Sequence, residues 1–199
     1  MRPRVYIYAD ESCLGVQFRD RESPGGAAGL VEFWRDGWVR RDYWVCEPAT
    51  TNNRMAIRSA TEGLRALREP CDVIFTSDSQ YLVKAMSEWI HGWVRRNWRR
   101  KGGPVESADL WKALLPVAAR HRIDWRWVRG HQGHPQNEYA NDLAVRAAKR
   151  QDDSRGLVES GFTEWLETQR EERERYMDFF EFQSPPRDEP FEPVEVPDP

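Results

Sequence analysis

The stretch RVYIYADESCLG, residues 4–15, decides the expected fold and the expected place of a site. Residues 5–9, VYIYA, are mostly β-branched or aromatic and carry no charge, which is typical of a short strand buried on both faces. The strand runs into Asp10 and Glu11, so at least one carboxylate is expected at its carboxyl end, where ligand sites of open α/β sheets lie. An ordinary turn explains the same residues, and this stretch alone favours the turn.

The composition predicts one well-packed domain with an appendage, because the chain has 199 residues of which 39% are hydrophobic. No run of about 18 apolar residues is present, and we expect neither a signal peptide nor a membrane span. The cysteines, which form no CxxC pair, are Cys13, Cys46 and Cys71. We therefore expect separate reduced thiols in a cytoplasmic protein, and we expect a monomer.

Charge is distributed unevenly along the chain. Residues 1–150 carry 25 Lys and Arg against 18 Asp and Glu, a net charge of +7. Residues 151–199 carry 5 against 15, a net charge of −10. A basic part with an acidic tail predicts a polyanionic partner, with the tail as a competitor, a solubiliser or a docking arm for a protein partner. Ordinary solvated surface explains these charges equally well.

The hydrophobic pattern of residues 4–150 predicts three strands, a helix, a strand, further helices, a strand and a last helix, in that order. Asp36-Gly37, between two apolar runs, predicts the hairpin that joins the second and third strands. Ser23-Pro24-Gly25-Gly26 and Glu47-Pro48-Ala49 predict a turn and a connection, and Thr50-Thr51-Asn52-Asn53 offers caps for the first helix. This order predicts a mixed α/β sheet with helices on its faces.

Two carboxylates follow strands that are expected to be neighbours in this sheet. Asp10 ends the first strand, and Asp78 follows the strand predicted at residues 71–76. Carboxylate oxygens that meet at the end of two adjacent strands are suitable ligands for a hard divalent cation. The pair favours a metal site over two unrelated turn residues.

The chain beyond residue 150 is predicted to have two parts. Residues 151–182 are expected to form a charged helical extension with several aromatic residues that need a packing partner. Residues 183–199 are rich in Pro and Glu, which is typical of a disordered tail. A flexible end without a function is the simpler interpretation of this tail, and a docking arm for a protein partner is the alternative.

Taken together, several motifs resemble type 1 ribonuclease H, the family that cuts RNA in RNA/DNA hybrids. In chain order they are DESCLG at 10–15, TTNNRM at 50–55, SDSQYL at 77–82, WIHGW at 89–93, DLW at 109–111 and WRWVRGHQGHPQNE at 125–138. The resemblance implies a ribonuclease H-like α/β domain at residues 1–150, with a five-stranded mixed sheet and helices on both faces. It also implies an RNA/DNA hybrid as the partner and Mg²⁺, or Mn²⁺, as the cofactor.

The resemblance also implies the catalytic residues. The family holds two Mg²⁺ ions with four carboxylates and has a histidine in a nearby loop; Asp10, Asp78 and His131 match three of these five positions. The other two carboxylate positions are occupied by Ala56 and Asn141. Alanine offers no ligand and asparagine offers one neutral carbonyl oxygen, so we expect weakened metal binding at Asp10, Asp78 and Asn141.

Neighbouring carboxylates could replace the missing ones. Asp142 lies about 100° further round its helix than Asn141, and it is kept as an additional candidate metal ligand. Glu11 follows Asp10 on an extended chain and is expected to point away from it. Replacement by either residue is therefore disfavoured.

The nucleic-acid-binding residues of the family are better preserved. Asn52, Asn53 and Gln80 match amides that contact the minor groove, and Thr51 matches a phosphate pocket. Cys13 matches a substrate contact, although a packed thiol explains it equally well.

A basic protrusion that grips the DNA strand is matched by Trp89, Trp93, Arg95, Arg96, Arg99 and Arg100. Of the aromatic residues in this region, we expect Trp98 and Trp111 to be in the core and Trp89 and Trp93 to lie nearer the substrate.

Three functions remain open. The preferred one is a protein that binds RNA/DNA hybrid with strongly weakened or lost hydrolysis, because two carboxylates are missing. It predicts that Ala56→Glu combined with Asn141→Asp raises cleavage. The second is an active ribonuclease H endonuclease, and the third is a non-catalytic protein-interaction scaffold that uses residues 151–199. The preserved amides and the protrusion argue against the scaffold.

Overall fold

The strand that contains Asp10 lies in the middle of a six-stranded mixed sheet. The computed structural model describes residues 2–15, 23–130, 132–180, 183–186 and 188–197. Its strands are β1 (Arg4–Cys13), β2 (Ser23–Trp34), β3 (Trp38–Thr50), β4 (Asp72–Ser77), β5 (Arg99–Arg100), β6 (Gly103–Pro104), β7 (Arg122–Trp127) and β8 (Val158–Glu159). The order in the main sheet is β7-β4-β1-β2-β3-β8, and β5 and β6 form a separate short hairpin.

The predicted five-stranded mixed sheet is confirmed, and the two-residue β8 adds a sixth strand at the β3 edge. β1 pairs antiparallel with β2 and parallel with β4, and β4 pairs parallel with β7. Residues 5–7 and 9 of β1 are buried, as expected for a central strand with both faces covered.

Helices cover both faces of the sheet. They are α1 (Asn52–Arg65), α2 (Gln80–Lys84), α3 (Ile90–Arg95), α4 (Ala108–Ala118), α5 (Pro135–Arg150) and α6 (Phe162–Arg173), with a π-helical turn at Ala85–Trp89 between α2 and α3. Consecutive residues of β2 reach opposite cores: Val31 packs with α1 and α4, and Leu30 packs with α5 and α6. None of the described helices is long and apolar enough to cross a membrane.

Two local predictions from the sequence are wrong at the β2–β3 pair. Ser23-Pro24-Gly25-Gly26 is the start of β2 and not a turn, and Glu47-Pro48-Ala49 belongs to the end of β3. The glycines are needed for close packing, because a Cβ on Gly26 would lie 2.3 Å from the carbonyl oxygen of Ala144 in α5. The Asp36-Gly37 hairpin is confirmed, with Trp34 paired to Trp38.

The extension after residue 150 completes the core between the sheet and α5, which is called the second core and contains Leu30, Leu143 and Phe162. Its helix α6 is shorter than predicted, and Phe162 is fully buried in a cluster with Leu30 and Leu143. The buried carboxylate of Asp42 accepts hydrogen bonds from the Tyr139 hydroxyl at 2.5 Å and from the backbone N–H of Gly161 at 3.2 Å. Apolar and polar contacts together fix the extension to the sheet.

The described residues of the tail that the composition predicts to be disordered, within 183–199, make several contacts with the sheet. Val194 forms an isolated antiparallel bridge with Ile123 of the edge strand β7, through a hydrogen bond of 2.9 Å. Glu189 forms an ion pair of 2.6 Å with Arg126 and accepts a hydrogen bond of 2.8 Å from the Tyr6 hydroxyl. The acidic tail is therefore bound by basic and apolar groups of its own sheet, which composition alone does not reveal.

Candidate active site

Three carboxylates meet at the carboxyl end of β1 and β4. One side-chain oxygen from each of Asp10, Glu11 and Asp78 lies within 4.8 Å of the other two. The parallel register places Ala9 opposite Ser77, so Asp10 and Asp78 occupy the next positions at the same edge of the sheet. The predicted pair is therefore brought together, and Glu11 joins it.

The expectation that Glu11 points away from Asp10 is wrong. β4 ends at Ser77, whereas β1 continues to Cys13 with β2 alone beside it. The Asp10 carboxylate turns along its own strand and accepts a hydrogen bond of 2.7 Å from the backbone N–H of Glu11. Alternation along a strand fixes the direction of each Cβ, but at this open edge it does not fix the end of a long side chain.

Burial and neighbouring carboxylates raise the pKa of Asp10 and of Glu11. Burial, and then the charge of Asp78, raises the pKa of Asp10 to about 8. Burial also raises the pKa of Glu11 well above its usual range, with further contributions from Asp10 and Asp78. A cluster that resists full ionisation is suited to a divalent cation, which supplies the missing positive charge.

The two substituted positions have different surroundings. Ala56 is 1% exposed and packs in the core cluster with Ile7 and Ala9, so it is a packing residue. Asn141 is half-buried on α5. Asp142 is exposed and accepts a hydrogen bond of 2.8 Å from the Trp165 indole N–H, and it does not belong to the carboxylate cluster. The prediction of Asp142 as a metal ligand is therefore not supported by this geometry.

Three residues that the sequence did not single out support the cluster. A Cβ on Gly130 would lie 2.5 Å from a carboxylate oxygen of Asp78, so only glycine allows this approach. The Trp127 indole N–H donates to the Asp78 carbonyl oxygen at 3.0 Å. The Asn137 amide donates to the Ala9 carbonyl oxygen at 3.3 Å. All three lie within the WRWVRGHQGHPQNE motif, and this location is the feature of the sequence that could have indicated their role.

Comparison with known proteins identifies the family. The RNase H family profile matches residues 2–149. This chain belongs to the ribonuclease H family. The ribonuclease H of Sulfurovum sp. (strain NBC37-1) is 44% identical over 149 residues, which cover 75% of this chain and 93% of that protein. The solved structure of LC9-RNase H1, described as a type 1 RNase H with the type 2 active-site motif, is 53% identical with a TM-score of 0.78 and covers 83% of this chain and 82% of that chain.

The donor set fits the Mg²⁺ that ribonucleases H generally use. Asp10, Glu11 and Asp78 provide hard oxygen ligands close together, and because burial raises the pKa of Asp10 and of Glu11, a bound cation would stabilise their charged forms. Mn²⁺ prefers the same ligand chemistry. The loop histidine of the family, His131, lies outside the described residues, and its role stays a prediction.

The amides predicted to contact the minor groove of a hybrid lie at the surface. Asn52 and Asn53 begin α1, and Gln80 begins α2 two residues after Asp78; all three are exposed. The Thr51 hydroxyl caps α1 by accepting a hydrogen bond of 3.4 Å from the Arg54 N–H. Their roles toward a ribonuclease H substrate stay predictions.

Two predicted substrate contacts are buried. Trp93 is 6% exposed, and its ring lies 5.6 Å from that of Trp111 in the core. Trp93 is therefore packed in the aromatic cluster and its substrate contact stays a prediction, whereas Trp89 is 36% exposed. Cys13 is buried beside Met55, and burial raises the pKa of its thiol to about 11. The packed-thiol interpretation of Cys13 is favoured.

The basic protrusion extends from the end of α3 through the β5–β6 hairpin. Its exposed arginines are Arg95, Arg96, Arg99 and Arg100. Arg100 forms an exposed ion pair of 2.5 Å with Glu106. Trp98 is half-buried against the core and lies under the Lys112 ammonium, which is 5.7 Å from its ring centroid. The tryptophans therefore support the hairpin, and the arginines present its charge.

Proposed function

We propose that this chain is an active ribonuclease H, a Mg²⁺-dependent endonuclease that cleaves the RNA strand of RNA/DNA hybrids. The observation that carries the proposal is the cluster of Asp10, Glu11 and Asp78, whose oxygens lie within 4.8 Å of one another. The interpretation of weakened catalysis assumed two carboxylates. A third carboxylate, Glu11, removes that premise, and the cleavage assay described below measures the activity.

In this proposal Asp10, Glu11 and Asp78 hold the metal, and Asn141 offers a neutral carbonyl oxygen. Bound Mg²⁺ supplies charge neutralisation at the scissile phosphate and increases the acidity of water. Trp127 and Asn137 hold the backbone at Asp78 and Ala9, so the carboxylates keep their relative positions without a ligand. The chain's own contribution is therefore a rigid, negatively charged site.

Substrate binding is assigned to two exposed surfaces. The side-chain amides of Asn52, Asn53 and Gln80 can donate and accept hydrogen bonds at the 2′-hydroxyls and base edges of a wide minor groove. The arginines of the basic protrusion provide phosphate contacts that do not depend on sequence. An RNA/DNA hybrid can contact the amides through its minor groove and the arginines through its phosphates at the same time.

A relative supports a complete but altered site. LC9-RNase H1, at 53% identity, is described as a type 1 RNase H with the type 2 active-site motif. We infer that Ala56 and Asn141 reflect an alternative motif of this kind, in which Glu11 takes part, and not the loss of a site.

The unaltered chain is expected to cleave a labelled RNA/DNA hybrid in Mg²⁺ and in Mn²⁺, and to be inactive in EDTA. Single-stranded RNA and RNA duplex are the control substrates, and hybrid binding is recorded on the same samples. Binding without cleavage in either metal would overturn the proposal and favour a hybrid-binding protein. Absence of binding would favour the scaffold interpretation.

The four arginines of the basic protrusion are expected to set the salt dependence of binding. Replacing Arg95, Arg96, Arg99 and Arg100 by Ala should weaken hybrid binding and reduce the slope of log affinity against log salt concentration by up to about 4. Exposed Arg35 and Arg68 lie at the opposite end of the sheet from Asp78, and their replacement by Ala is the matched control. An equal slope in the protrusion variant and the unaltered chain would contradict this assignment.

A further inference from the structure

The C-terminal segment of residues 161–180 contacts α5 at two residues close to Asn141. The Trp165 indole N–H donates to Asp142 at 2.8 Å, and the Arg175 guanidinium donates to one carboxylate oxygen of Glu138 at 2.5 Å. Glu138 and Asp142 precede and follow Asn141 on the same helix. Residues beyond the part that matches the family profile therefore contact α5, the helix whose Asn137 donates to the Ala9 carbonyl oxygen beside the carboxylate cluster.

Glu138 connects this segment to the loop between β7 and α5. Its second carboxylate oxygen accepts a hydrogen bond of 3.1 Å from the backbone N–H of Gly133. The same loop contains Gly130, whose Cα approaches the Asp78 carboxylate too closely for any side chain. Arg175 is thus linked through Glu138 to Gly133, and Gly130 of the same loop lies against a carboxylate of the cluster.

The contact between Arg175 and Glu138 is well anchored. Glu138 is 9% exposed; burial alone would raise its pKa, but hydrogen bonds and the charge of Arg175 hold the pKa below its usual range. The guanidinium of Arg175 lies 4.8 Å from the ring centroid of Tyr176, and that ring packs in the second core with Phe162. A packed neighbour therefore limits the directions that the arginine can take.

We propose that Arg175 is a positioning residue for the active site, which fixes Glu138 so that this carboxylate holds the β7–α5 loop against Asp78. The inference rests on the proposed ribonuclease H function for its effect on catalysis. Groups that orient the residues of a site through a hydrogen bond affect activity without touching the substrate. The Arg175 side chain is 41% exposed, so its ion pair contributes little to global stability.

Arg175→Ala is expected to lower kcat for hybrid cleavage roughly tenfold with KM nearly unchanged, because the loop loses its fixed position. Arg175→Lys should recover part of the loss, since an ammonium can still donate to Glu138. Arg173→Ala is the matched control: Arg173 is exposed on the same segment and its guanidinium donates to Gln169, at 3.5 Å. The control is expected to behave as the unaltered chain.

Two further measurements separate positioning from other effects. Hydrogen exchange at the Gly133 amide should become faster in Arg175→Ala and stay unchanged in Arg173→Ala. In a Glu138→Ala background, Arg175→Ala should have no additional effect on kcat. Unchanged Gly133 exchange, or an equal loss of kcat in both backgrounds, would overturn the proposal. The exchange measurement needs no cleavage, so it decides the role of Arg175 even if the unaltered chain fails to cleave hybrid.

Discussion

Glu11→Gln is expected to reduce Mg²⁺-dependent cleavage of RNA/DNA hybrids at least about 10²-fold, while hybrid binding in EDTA stays close to that of the unaltered chain. The substitution keeps the size of the side chain and removes one negative charge from a site with three carboxylates. Charge that is preorganised around a metal and a scissile phosphate contributes on this scale to catalysis. The measurement is single-turnover cleavage at saturating chain concentration, over a titration of Mg²⁺.

A variant that fails to fold would also lose cleavage. Measuring the thermal stability of Glu11→Gln without metal distinguishes the two cases. Because burial raises the pKa of Glu11 in the folded state, the folded chain binds more protons than the unfolded chain above about pH 4. The free energy of unfolding therefore falls as pH rises toward the folded-state pKa of Glu11. Glutamine does not ionise, so the variant does not lose this stability. Glu11→Gln should unfold at a higher temperature than the unaltered chain in EDTA at about pH 8.

Ala56→Glu is the informative comparison for Glu11→Gln. Ala56 is 1% exposed among Ile7 and Ala9, so a glutamate there would bury a charge among apolar groups and is expected to destabilise the chain. The sequence had predicted a gain of activity from this change combined with Asn141→Asp. Full activity of Glu11→Gln would contradict a metal-binding role for Glu11. A gain of activity from Ala56→Glu alone would indicate that the third carboxylate is needed at position 56 of α1.

The fold was predictable because its signals are local and strong. The uncharged strand at residues 5–9, the Asp36-Gly37 hairpin and the cap at Thr51 each specify one element, and their order allows few topologies. Asp10 and Asp78 could be placed together for the same reason, since each comes directly after the last paired residue of two neighbouring parallel strands. These inferences needed only the order of the elements and the position at which each strand ends.

The errors occurred where the outcome depended on contacts between distant residues. The alternation rule placed Glu11 away from Asp10, but alternation fixes only the direction of each Cβ, and β4 ends at Ser77, so no strand on that side constrains the end of the Glu11 side chain. Gly26 suggested a turn, although its lack of a side chain serves the approach of α5. Trp93 matches a substrate contact, whereas in the structure its ring is buried and packs against that of Trp111. The first and third concern the destination of a side chain, and the second concerns the backbone, which continues as a strand where glycine suggested a turn.

The largest stability effect is expected from Phe162→Ala, in the extension beyond the family profile. Phe162 is fully buried in the core cluster with Leu30, and its ring lies 5.4 Å from that of Tyr139 and 5.0 Å from the Arg40 guanidinium. Removing the ring should lower the free energy of unfolding by about 3 to 5 kcal/mol through lost burial and a residual cavity. Chemical denaturation followed by circular dichroism measures this difference.

Phe180→Ala is the matched control, because Phe180 is 66% exposed and should change stability by less than about 0.5 kcal/mol. Equal small effects of both substitutions would show that the extension is an appendage, as the predicted boundary at residue 150 implies. The geometry argues otherwise: Leu30 and Tyr139 pack with α6, and α5 carries Asn137, which donates to the Ala9 carbonyl oxygen next to Asp10. The family profile ends near residue 149, but the packing of the second core continues into the extension, and Phe162→Ala tests whether the two fold together.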